Sequence, residues 1–453
     1  MFVEKIKTPG LAQLSYVVGD GDRAAVVDPR RDVDVYIDIS RREGAQITHI
    51  LETHRNEDLI SGASALAEIT GATVLHGPNP AEPIAYAQTI REGEGLTLGN
   101  LGVSVLETPG HTDDSVSYVL HDRELGGEAI GVFTGDALFV GDVGRTDFYP
   151  DRPEEVAGLL FDSLQKLAAL GDQAIIYPAH GAGSVCGAGM ADREFSTIGT
   201  ERQTNRMLRI EDRDEFIRRK TAEEHYQPPY FRLMEQMNTR GGNPASDPLA
   251  IKPLAIPDLK AGMDDGCQLV DVRSPESFAG AHIDGALSLP VGLVTTYGGW
   301  LLDPEDQLII VADNLAQARE AEIHFSRIGY DRVAGAFTDG MAKWAAAGEP
   351  FESMATVSVS TVKERLGKPP ENWVLLDVRK GEEFRGNAID GARHIFLGHL
   401  PGQLAELDRD ASYTVLCGSG MRAMVGGAVL RKAGWRNVDV FMGSMGAWTN
   451  TAE

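Results

Sequence analysis

The feature that most constrains the fold is an internal repeat in the second half of the chain. Residues 269–286 read LVDVRSPESFAGAHIDGA and residues 375–392 read LLDVRKGEEFRGNAIDGA, so the two segments align without gaps. In both copies a short apolar strand, a loop, a helix, another strand and a tryptophan follow. Each copy spans about 100 residues, a common domain size, and self-similarity of this kind indicates a duplicated structural unit. The repeat therefore predicts two consecutive α/β domains.

The boundaries of these domains are marked by helix breakers and polar residues. The chain has 453 residues, which is too many for one hydrophobic core. Breakers gather at 227–230 (QPPY) and 238–244 (NTRGGNP), and a further break lies at 348–350 (GEP). We therefore expect three domains, at residues 1–245, 250–350 and 357–453.

Charge and cysteine content exclude several classes of protein. The net charge of −25, from 67 acidic and 42 basic residues, argues against a nucleic-acid partner, because such binding depends on clustered Lys and Arg. Three cysteines cannot form a disulfide framework in a chain of this size, so any functional cysteine acts as a thiol. No signal peptide and no apolar stretch of membrane-spanning length is present, so we expect no membrane contact and a cytoplasmic protein.

Histidines and an aspartate follow strand ends in residues 1–245. The apolar pattern predicts strands that end shortly before His54, His111, Asp136 and His180. A single residue of this kind is usually a loop or capping residue, but polar groups gathered at strand ends are how α/β sheets build binding sites. The four residues together therefore predict a site at one edge of the sheets.

The segments that contain these residues are THRNED (53–58), TPGH (108–111), TGD (134–136) and PAHG (178–181). In this order they resemble the motifs of the metallo-β-lactamase superfamily. The resemblance covers about residues 1–245 and implies an αββα sandwich with metal bound at one edge of its two sheets.

One departure from this superfamily's pattern is informative. Its first motif is His-x-His-x-Asp-His, whereas Asn56 and Leu59 stand here at the second and third histidine positions. The binuclear zinc hydrolases of the superfamily use both of those histidines, so the two-zinc arrangement is damaged. His54, His111 and Asp136 remain, and two imidazoles with one carboxylate are the ligand set of non-haem Fe(II) oxygenases.

Persulfide dioxygenases are the branch of the superfamily that holds iron with this His, His, Asp set. The runs GRTDF (144–148), HGAGSVCG (180–187) and STIGTERQTN (196–205) are similar to that branch. The resemblance implies one Fe(II) per chain, bound by His54, His111 and Asp136. Four further residues are predicted to orient ligands or face substrate: Asp58, Arg145, Asp147 and His180. A structural salt bridge is the alternative for Arg145, and Cys186 is expected to be a loop or packing residue.

A second candidate site lies in the last domain. Cys417 ends an apolar strand and is followed by Gly418, Ser419, Gly420, Met421 and Arg422 ahead of a helix. Small residues between Cys417 and Arg422 allow backbone N–H groups to form an anion-binding nest, and the helix N-terminus favours a thiolate or persulfide. The segment resembles the rhodanese active-site loop, which implies that Cys417 carries sulfane sulfur as a persulfide.

The first copy of the repeat departs from this loop. It reads ADNLAQAR at residues 312–319, so either Asp313 or Asn314 takes the place of the cysteine, depending on the end from which one counts. Neither is a sulfur nucleophile, and this copy should be catalytically silent, with a role in spacing, docking or dimer contacts. Cys267 aligns with Trp373 of the other copy and is expected to pack at a strand start.

These observations predict an α/β protein: an αββα metallo-β-lactamase sandwich followed by two α/β rhodanese-like domains with parallel sheets. The implied activity is Fe(II)-dependent oxidation of a low-molecular-weight thiol persulfide by O₂ to sulfite, coupled to sulfur transfer that forms or uses thiosulfate. A homodimer or higher homo-oligomer is expected from the family. Two alternatives stay open: a zinc-dependent thioester hydrolase of the glyoxalase II type, and a sulfurtransferase whose metallo-β-lactamase domain is not catalytic. The sequence does not identify the thiol carrier or the direction of sulfur flow.

Overall fold

The computed structural model describes residues 1–124, 126–184, 187, 189–241, 251–338 and 340–451. The chain divides into two compact units, Met1–Ala245 with Arg327–Gly329, and Ser246–Ser326 with Tyr330–Glu453. Cys186 and the predicted boundary between residues 245 and 250 lie outside the described residues. Within the described residues, no helix has both the length and the apolar character that crossing a membrane requires.

The first unit contains two sheets with helices outside them. A six-stranded sheet has the order β1-β2-β3-β4-β5-β6, and a five-stranded sheet has the order β11-β10-β9-β8-β7. The strands are β1 (Phe2–Thr8), β2 (Gln13–Asp20), β3 (Arg23–Val27), β4 (Gln46–Glu52), β5 (Thr73–His76), β6 (Gln88–Thr89), β7 (Gly95–Leu98), β8 (Leu101–Glu107), β9 (Val116–Asp122), β10 (Ala129–Gly135) and β11 (Ile175–Pro178). The helices are α1 (Asp34–Glu43), α2 (Ala63–Thr70), α3 (Pro153–Ala168), α4 (Ile198–Thr204), α5 (Arg213–Thr221) and α6 (Phe231–Arg240).

The layering of the first unit follows from the two-residue period of its strands. Successive side chains of a strand point to opposite faces, and both faces of β3 are apolar. Val26 packs with Tyr36 of α1 in one cluster, whereas Val27 packs with Val105 and Phe133 of the second sheet in another. Helix α3 covers the far side of the second sheet. The predicted αββα sandwich is confirmed.

The second unit contains two further sheets, whose strands pair in parallel. Their orders are β13-β12-β14-β15 and β16-β20-β19-β17-β18. The strands are β12 (Gln268–Asp271), β13 (Leu287–Ser288), β14 (Leu308–Val311), β15 (Val333–Phe337), β16 (Ala355–Val357), β17 (Trp373–Asp377), β18 (Arg393–His394), β19 (Ser412–Leu416) and β20 (Val438–Phe441). The helices are α7 (Ile256–Asp264), α8 (Pro275–Gly280), α9 (Val294–Leu301), α10 (Leu315–Arg327), α11 (Gly340–Ala346), α12 (Val359–Gly367), α13 (Gly381–Gly386), α14 (Met421–Lys432) and α15 (Ser444–Asn450).

The two copies of the sequence repeat make the same buried contact at the end of their first strand. Arg273 donates to the carboxylate of Asp271 directly after β12, and Arg379 donates in the same way to Asp377 at the end of β17, with shortest distances of 2.6 Å in both pairs. All four side chains are buried. Each arginine also donates to a backbone carbonyl eight residues further along the chain. The Asp-x-Arg motif is therefore a structural tie that closes the turn after the first strand of each copy.

Candidate metal centre and sulfur-transfer loop

Three side chains from different loops meet at the ends of the strands in the first unit. His54 follows β4, His111 lies between β8 and β9, and Asp136 follows β10 directly. One ligand atom from each lies within 4.8 Å of the others, and all three residues are buried. The Nε2 atoms of His54 and His111 are 3.9 and 3.4 Å from Oδ2 of Asp136. Atoms bound to one ion at about 2.1 Å lie about 3 to 4 Å apart unless they are opposite one another.

A glycine allows Asp136 to reach this position. Gly135 has a φ of +53°, and a Cβ atom there would lie 2.7 Å from Oγ1 of Thr53. A side chain would therefore be strained by the backbone conformation and would collide with the loop that carries His54. The close approach of the two strand ends requires glycine at this residue.

Hydrogen bonds orient both histidines so that Nε2 is available to a metal. Nδ1 of His111 donates to the carbonyl of Arg145 at 3.0 Å. Oγ1 of Thr53 donates to Asp28 at 2.8 Å and accepts from Nδ1 of His54 at 2.9 Å. An Nδ1 that donates in this way fixes the tautomer that leaves an Nε2 lone pair free, as in most histidine metal ligands.

The environment shifts the pKa values of these groups in different directions. Burial lowers the pKa of His54 despite the nearby Asp136. Burial would also lower the pKa of His111, but Glu57, Asp136 and the Arg145 carbonyl together raise it. Burial raises the pKa of Asp28 to about 7, although the backbone amide and the hydroxyl of Thr53 oppose this shift.

Asp136 is held from its other side by a chain of two hydrogen bonds. Nδ1 of His180 donates to Oδ1 of Asp136 at 2.8 Å, and Nε2 of His180 donates to Asp58 at 3.0 Å. Burial opposes a charge on His180 and on Asp136, yet the pKa of His180 is raised by both carboxylates, and His180 is the main group that lowers the pKa of Asp136. The chain orients the Asp136 carboxylate toward the two ligand histidines.

The two motif positions at which the binuclear hydrolases have histidines are occupied here by Asn56 and Leu59. Asn56 and Leu59 are both buried. The backbone carbonyls of both residues accept from the amide of Asn238, each at 2.7 Å. Among the described residues, one group of three His, Cys, Asp or Glu side chains has ligand atoms close enough to share an ion, and it consists of His54, His111 and Asp136. In that part of the chain, the donors are therefore arranged for one ion.

The donor set fits a single divalent metal. Nε2 of His111 is buried and has no hydrogen-bond partner in the described residues, although its other ring nitrogen is satisfied. A buried polar atom without a partner is costly, and a bound cation would satisfy it. Two imidazoles and a carboxylate suit Fe(II), Zn(II) and similar ions.

Arg145 and Asp147 have a structural role in addition to any contact with substrate. The guanidinium of Arg145 makes two hydrogen bonds of 2.6 Å to Asp147 and donates to the carbonyl of Tyr226 at 3.2 Å. Asp147 also accepts from the amide of Gln227 at 2.9 Å. Arg145 thus pairs with Asp147 through its side chain and accepts from His111 through its backbone carbonyl. It therefore connects this loop to His111, a candidate metal ligand.

Cys417 lies at the base of a tight loop between β19 and α14. It is fully buried, its Sγ accepts from the N–H of Gly420 at 3.1 Å, and its own N–H donates to Ser444 at 3.0 Å. Gly420 has a φ of +109°, and a Cβ there would lie 2.2 Å from the carbonyl oxygen of Met442. Helix α14 begins at Met421, the residue after this turn. The amide and the helix N-terminus favour negative charge on the sulfur.

Arg422 is fixed beside this loop by two partners. Its guanidinium makes two bonds to Glu383, at 2.6 and 2.7 Å. It also hydrogen-bonds the hydroxyl of Tyr297, which comes from α9 of the first copy of the repeat. Burial raises the pKa of Tyr297, and Arg422 opposes this shift. The first copy therefore contributes a buried side chain to the loop of the second.

The strand register corrects the predicted equivalent of Cys417 in the first copy. Asp271 pairs with Val311 as Asp377 pairs with Leu416. The residue after Val311 is Ala312, so neither Asp313 nor Asn314 takes the place of the cysteine. Asn314 caps helix α10 instead, since its side chain accepts from the N–H of Gln317 at 3.0 Å.

Three residues near the two sites were not identified from the sequence: Glu57, Glu383 and Tyr297. Glu57 lies inside the first metal motif, between Asn56 and Asp58, and this position was the only available signal. Glu383 belongs to the repeated segment 375–392, where it was aligned but assigned no role. Tyr297 carried no signal, because only the contact between the two copies brings it to Arg422.

Comparisons with known proteins match three stretches of the chain to two families. Residues 8–180 match the model of the metallo-β-lactamase superfamily, and residues 256–347 and 358–451 each match the rhodanese-like domain. The hydroxyacylglutathione hydrolase of Methylobacterium sp. (strain 4-46) is 30% identical over 218 residues, which are 46% of this chain and 78% of that protein. For three other curated relatives, the match spans only 59%, 52% and 56% of their length.

Solved structures are also similar. A metallo-β-lactamase from Staphylococcus aureus subsp. aureus COL is 29% identical with a TM-score of 0.67, covering 74% of this chain and 98% of that one. ETHE1 from Myxococcus xanthus is 32% identical with a TM-score of 0.46, covering 54% of this chain and 100% of that one. The chain belongs to the metallo-β-lactamase superfamily and consists of a metallo-β-lactamase domain followed by two rhodanese-like domains.

Proposed function

We propose that the chain oxidises a low-molecular-weight thiol persulfide with O₂ at one Fe(II) ion held by His54, His111 and Asp136. The observation that carries this proposal is the contrast within the motif. Asn56 and Leu59 stand at the two motif positions where the binuclear hydrolases have metal-binding histidines. His54, His111 and Asp136 are the donor types of a mononuclear oxygenase site, and one ligand atom of each lies within 4.8 Å of the others. A 2-His-1-carboxylate set leaves positions open for a sulfur donor and O₂.

The proposed reaction is R–S–SH + O₂ + H₂O → R–SH + SO₃²⁻ + 2H⁺. Four electrons leave the terminal sulfur and four reduce O₂, so the reaction needs no other oxidant. Bound iron would supply the redox chemistry that allows O₂ to react with sulfur. His54 and His111 would hold the ion through Nε2, Asp136 would supply a negative charge, and the buried surroundings would exclude water.

The second step of the proposal is sulfur transfer at Cys417. The Cys417 thiolate attacks the outer sulfur of a second R–S–SH, and R–SH leaves as the S–S bond breaks. Sulfite then attacks the outer sulfur of the Cys417 persulfide, that S–S bond breaks, and thiosulfate and the cysteine thiolate are the products. The Gly420 N–H, 3.1 Å from Sγ, would stabilise the anionic forms of this sulfur. Flow in the opposite direction, in which the loop delivers persulfide to the metal centre, uses the same residues.

Oxygen uptake and product analysis test the proposal. Iron-loaded protein given glutathione persulfide should consume O₂ and contain one iron per chain, and His111→Ala should abolish uptake. Cys417→Ser should keep the O₂ uptake and lose thiosulfate formation. Loss of uptake in Cys417→Ser would contradict two independent sites. A panel of persulfides would identify the carrier, and light scattering would test the expected homodimer or higher oligomer.

A second candidate is a zinc-dependent hydrolase of the glyoxalase II type. It is favoured by the relative named hydroxyacylglutathione hydrolase, which is 30% identical. This function would need a second ion at Asp58 and His180, whose side chains hydrogen-bond each other at 3.0 Å in this structure. Two zinc ions per chain and hydrolysis of a glutathione thioester would establish it. If neither activity is found and thiosulfate chemistry remains, the first domain is not catalytic.

A further inference from the structure

Glu57 is a buried carboxylate that neither the motif comparison nor the proposed ligand set uses. It is 5% exposed, and neither of its carboxylate oxygens has a hydrogen-bond partner in the described part of the chain. Two other buried carboxylates of this region, Glu52 and Asp58, each keep one satisfied oxygen. A buried carboxylate without hydrogen bonds is unfavourable. The ion pair with His111 at 3.6 Å compensates Glu57 only when His111 is protonated, so a bound cation would stabilise Glu57 when His111 is neutral.

The surroundings of Glu57 indicate where that cation would lie. Its Oε2 is 3.6 Å from Nε2 of His111, which is too far for a hydrogen bond. This Nε2 is itself a buried atom without a hydrogen-bond partner among the described residues. A separation of 3.6 Å is within the range expected for two atoms that bind the same ion. The Arg55 guanidinium pairs with Glu235 at 2.9 Å and interacts with Glu57 electrostatically, but within the described residues it does not hydrogen-bond the Glu57 carboxylate.

We propose that Glu57 is a fourth protein ligand of the metal centre. The inference rests on the proposed centre at His54, His111 and Asp136 and deepens it. Glu57 lies outside the group of atoms within 4.8 Å of one another, so ligation would require its side chain to rotate toward the ion. Four protein donors would leave fewer open positions on the ion than three donors would.

This arrangement would also affect metal choice and substrate. A second carboxylate adds negative charge and a hard oxygen donor, and such donors favour ions such as Fe(II) over softer ones. With fewer open positions, fewer water molecules would compete with substrate at the ion. Glu57 would therefore be a metal ligand and a residue that limits access.

The test uses the 453-residue chain loaded with Co(II) or, under anaerobic conditions, Fe(II). We expect Glu57→Gln to weaken metal binding at least tenfold in a chelator competition and to change the Co(II) d–d absorption. Glu57→Ala should show the same changes, and added acetate should restore the absorption. Glu235→Gln is the matched control, since it removes a neighbouring carboxylate that contacts Arg55 and should leave both readouts unchanged.

Wild-type affinity and an unchanged Co(II) spectrum in Glu57→Gln would overturn the inference, as would binding of two ions per chain by the wild type. Should Glu57→Gln not fold, Glu57→Asp offers a shorter carboxylate, and a spectrum unaltered by that substitution would also count against ligation. Measurement of O₂ uptake distinguishes failure of the fourth-ligand inference from failure of the proposed persulfide oxidation. If the wild type consumes O₂ and the variants bind metal as the wild type does, only the inference that Glu57 is a ligand is rejected. If the variants bind metal differently from the wild type but the wild type consumes no O₂, the proposed reaction is rejected instead.

Discussion

His180 is the residue whose removal best tests how the metal centre is built. Its imidazole joins two buried carboxylates, donating to Asp136 at 2.8 Å and to Asp58 at 3.0 Å. In a mononuclear centre it orients the Asp136 ligand without touching the ion. In a binuclear centre of the hydrolase type, it would bind the second ion. His180→Ala therefore gives different results for the two architectures.

The magnitude follows from the hydrogen bonds that are lost. A buried hydrogen bond to a charged group contributes about 1.5–3 kcal/mol, and the bond to Asp136 belongs to this class. Loss of a group that orients a metal ligand typically weakens metal binding about 10–100-fold, which corresponds to about 1.4–2.7 kcal/mol at 1.36 kcal/mol per tenfold change. The two values agree, so we expect His180→Ala to weaken Fe(II) binding by this factor while binding still saturates at one ion per chain.

The assay is anaerobic competition with a chelator, combined with metal analysis of the saturated protein. His121→Ala is a suitable control, because its ring nitrogens also hydrogen-bond, to Ser104 at 2.7 Å and to Gly127 at 2.9 Å, on strand β9 away from the ligands. Unchanged affinity in His180→Ala would refute the orienting role. A fall from two ions to one would show instead that His180 is a ligand in a binuclear centre.

The remaining predictions concern the sulfur-transfer loop. Gly420→Ala should lower stability by about 1–3 kcal/mol and abolish thiosulfate formation, because the φ of +109° and the Met442 carbonyl leave no room for a Cβ; unchanged thermal unfolding would contradict this. Tyr297→Phe should lower sulfur transfer about tenfold by removing a bond to Arg422, with O₂ uptake unaffected. Burial would raise the pKa of Glu383, but Arg422 lowers it below its ordinary 4.5, so the pair stabilises the fold above about pH 4.5 and loses this effect as the pH falls further. With Glu383 37% exposed, Glu383→Gln should cost under about 1 kcal/mol in urea unfolding at pH 7 and less at pH 3.

Local sequence signals were sufficient where a residue's role depends on its own segment. The αββα layers were expected from the resemblance of four segments to the metallo-β-lactamase superfamily, and strand β3 agrees with them because it is apolar on both faces, as Val26 and Val27 show. His54, His111 and Asp136 could be proposed as a set because each follows a strand, and the structure brings them together. The prediction for the first rhodanese-like copy was less accurate. Counting along the loop could not decide between Asp313 and Asn314, and the register of β12 and β14 places Ala312 there instead.

The sequence by itself determined the order of the domains, the duplication and the residue types available at each site, since these depend on periodicity, repetition and motif spacing. Only the tertiary structure could show that, among the described residues, neither carboxylate oxygen of Glu57 has a hydrogen-bond partner, and that Tyr297 reaches Arg422. Burial and partnership are properties of contacts between segments far apart in the chain, and no local pattern encodes them. For the same reason, the positions of the carboxylates around the candidate metal centre are known from the structure and not from the motif.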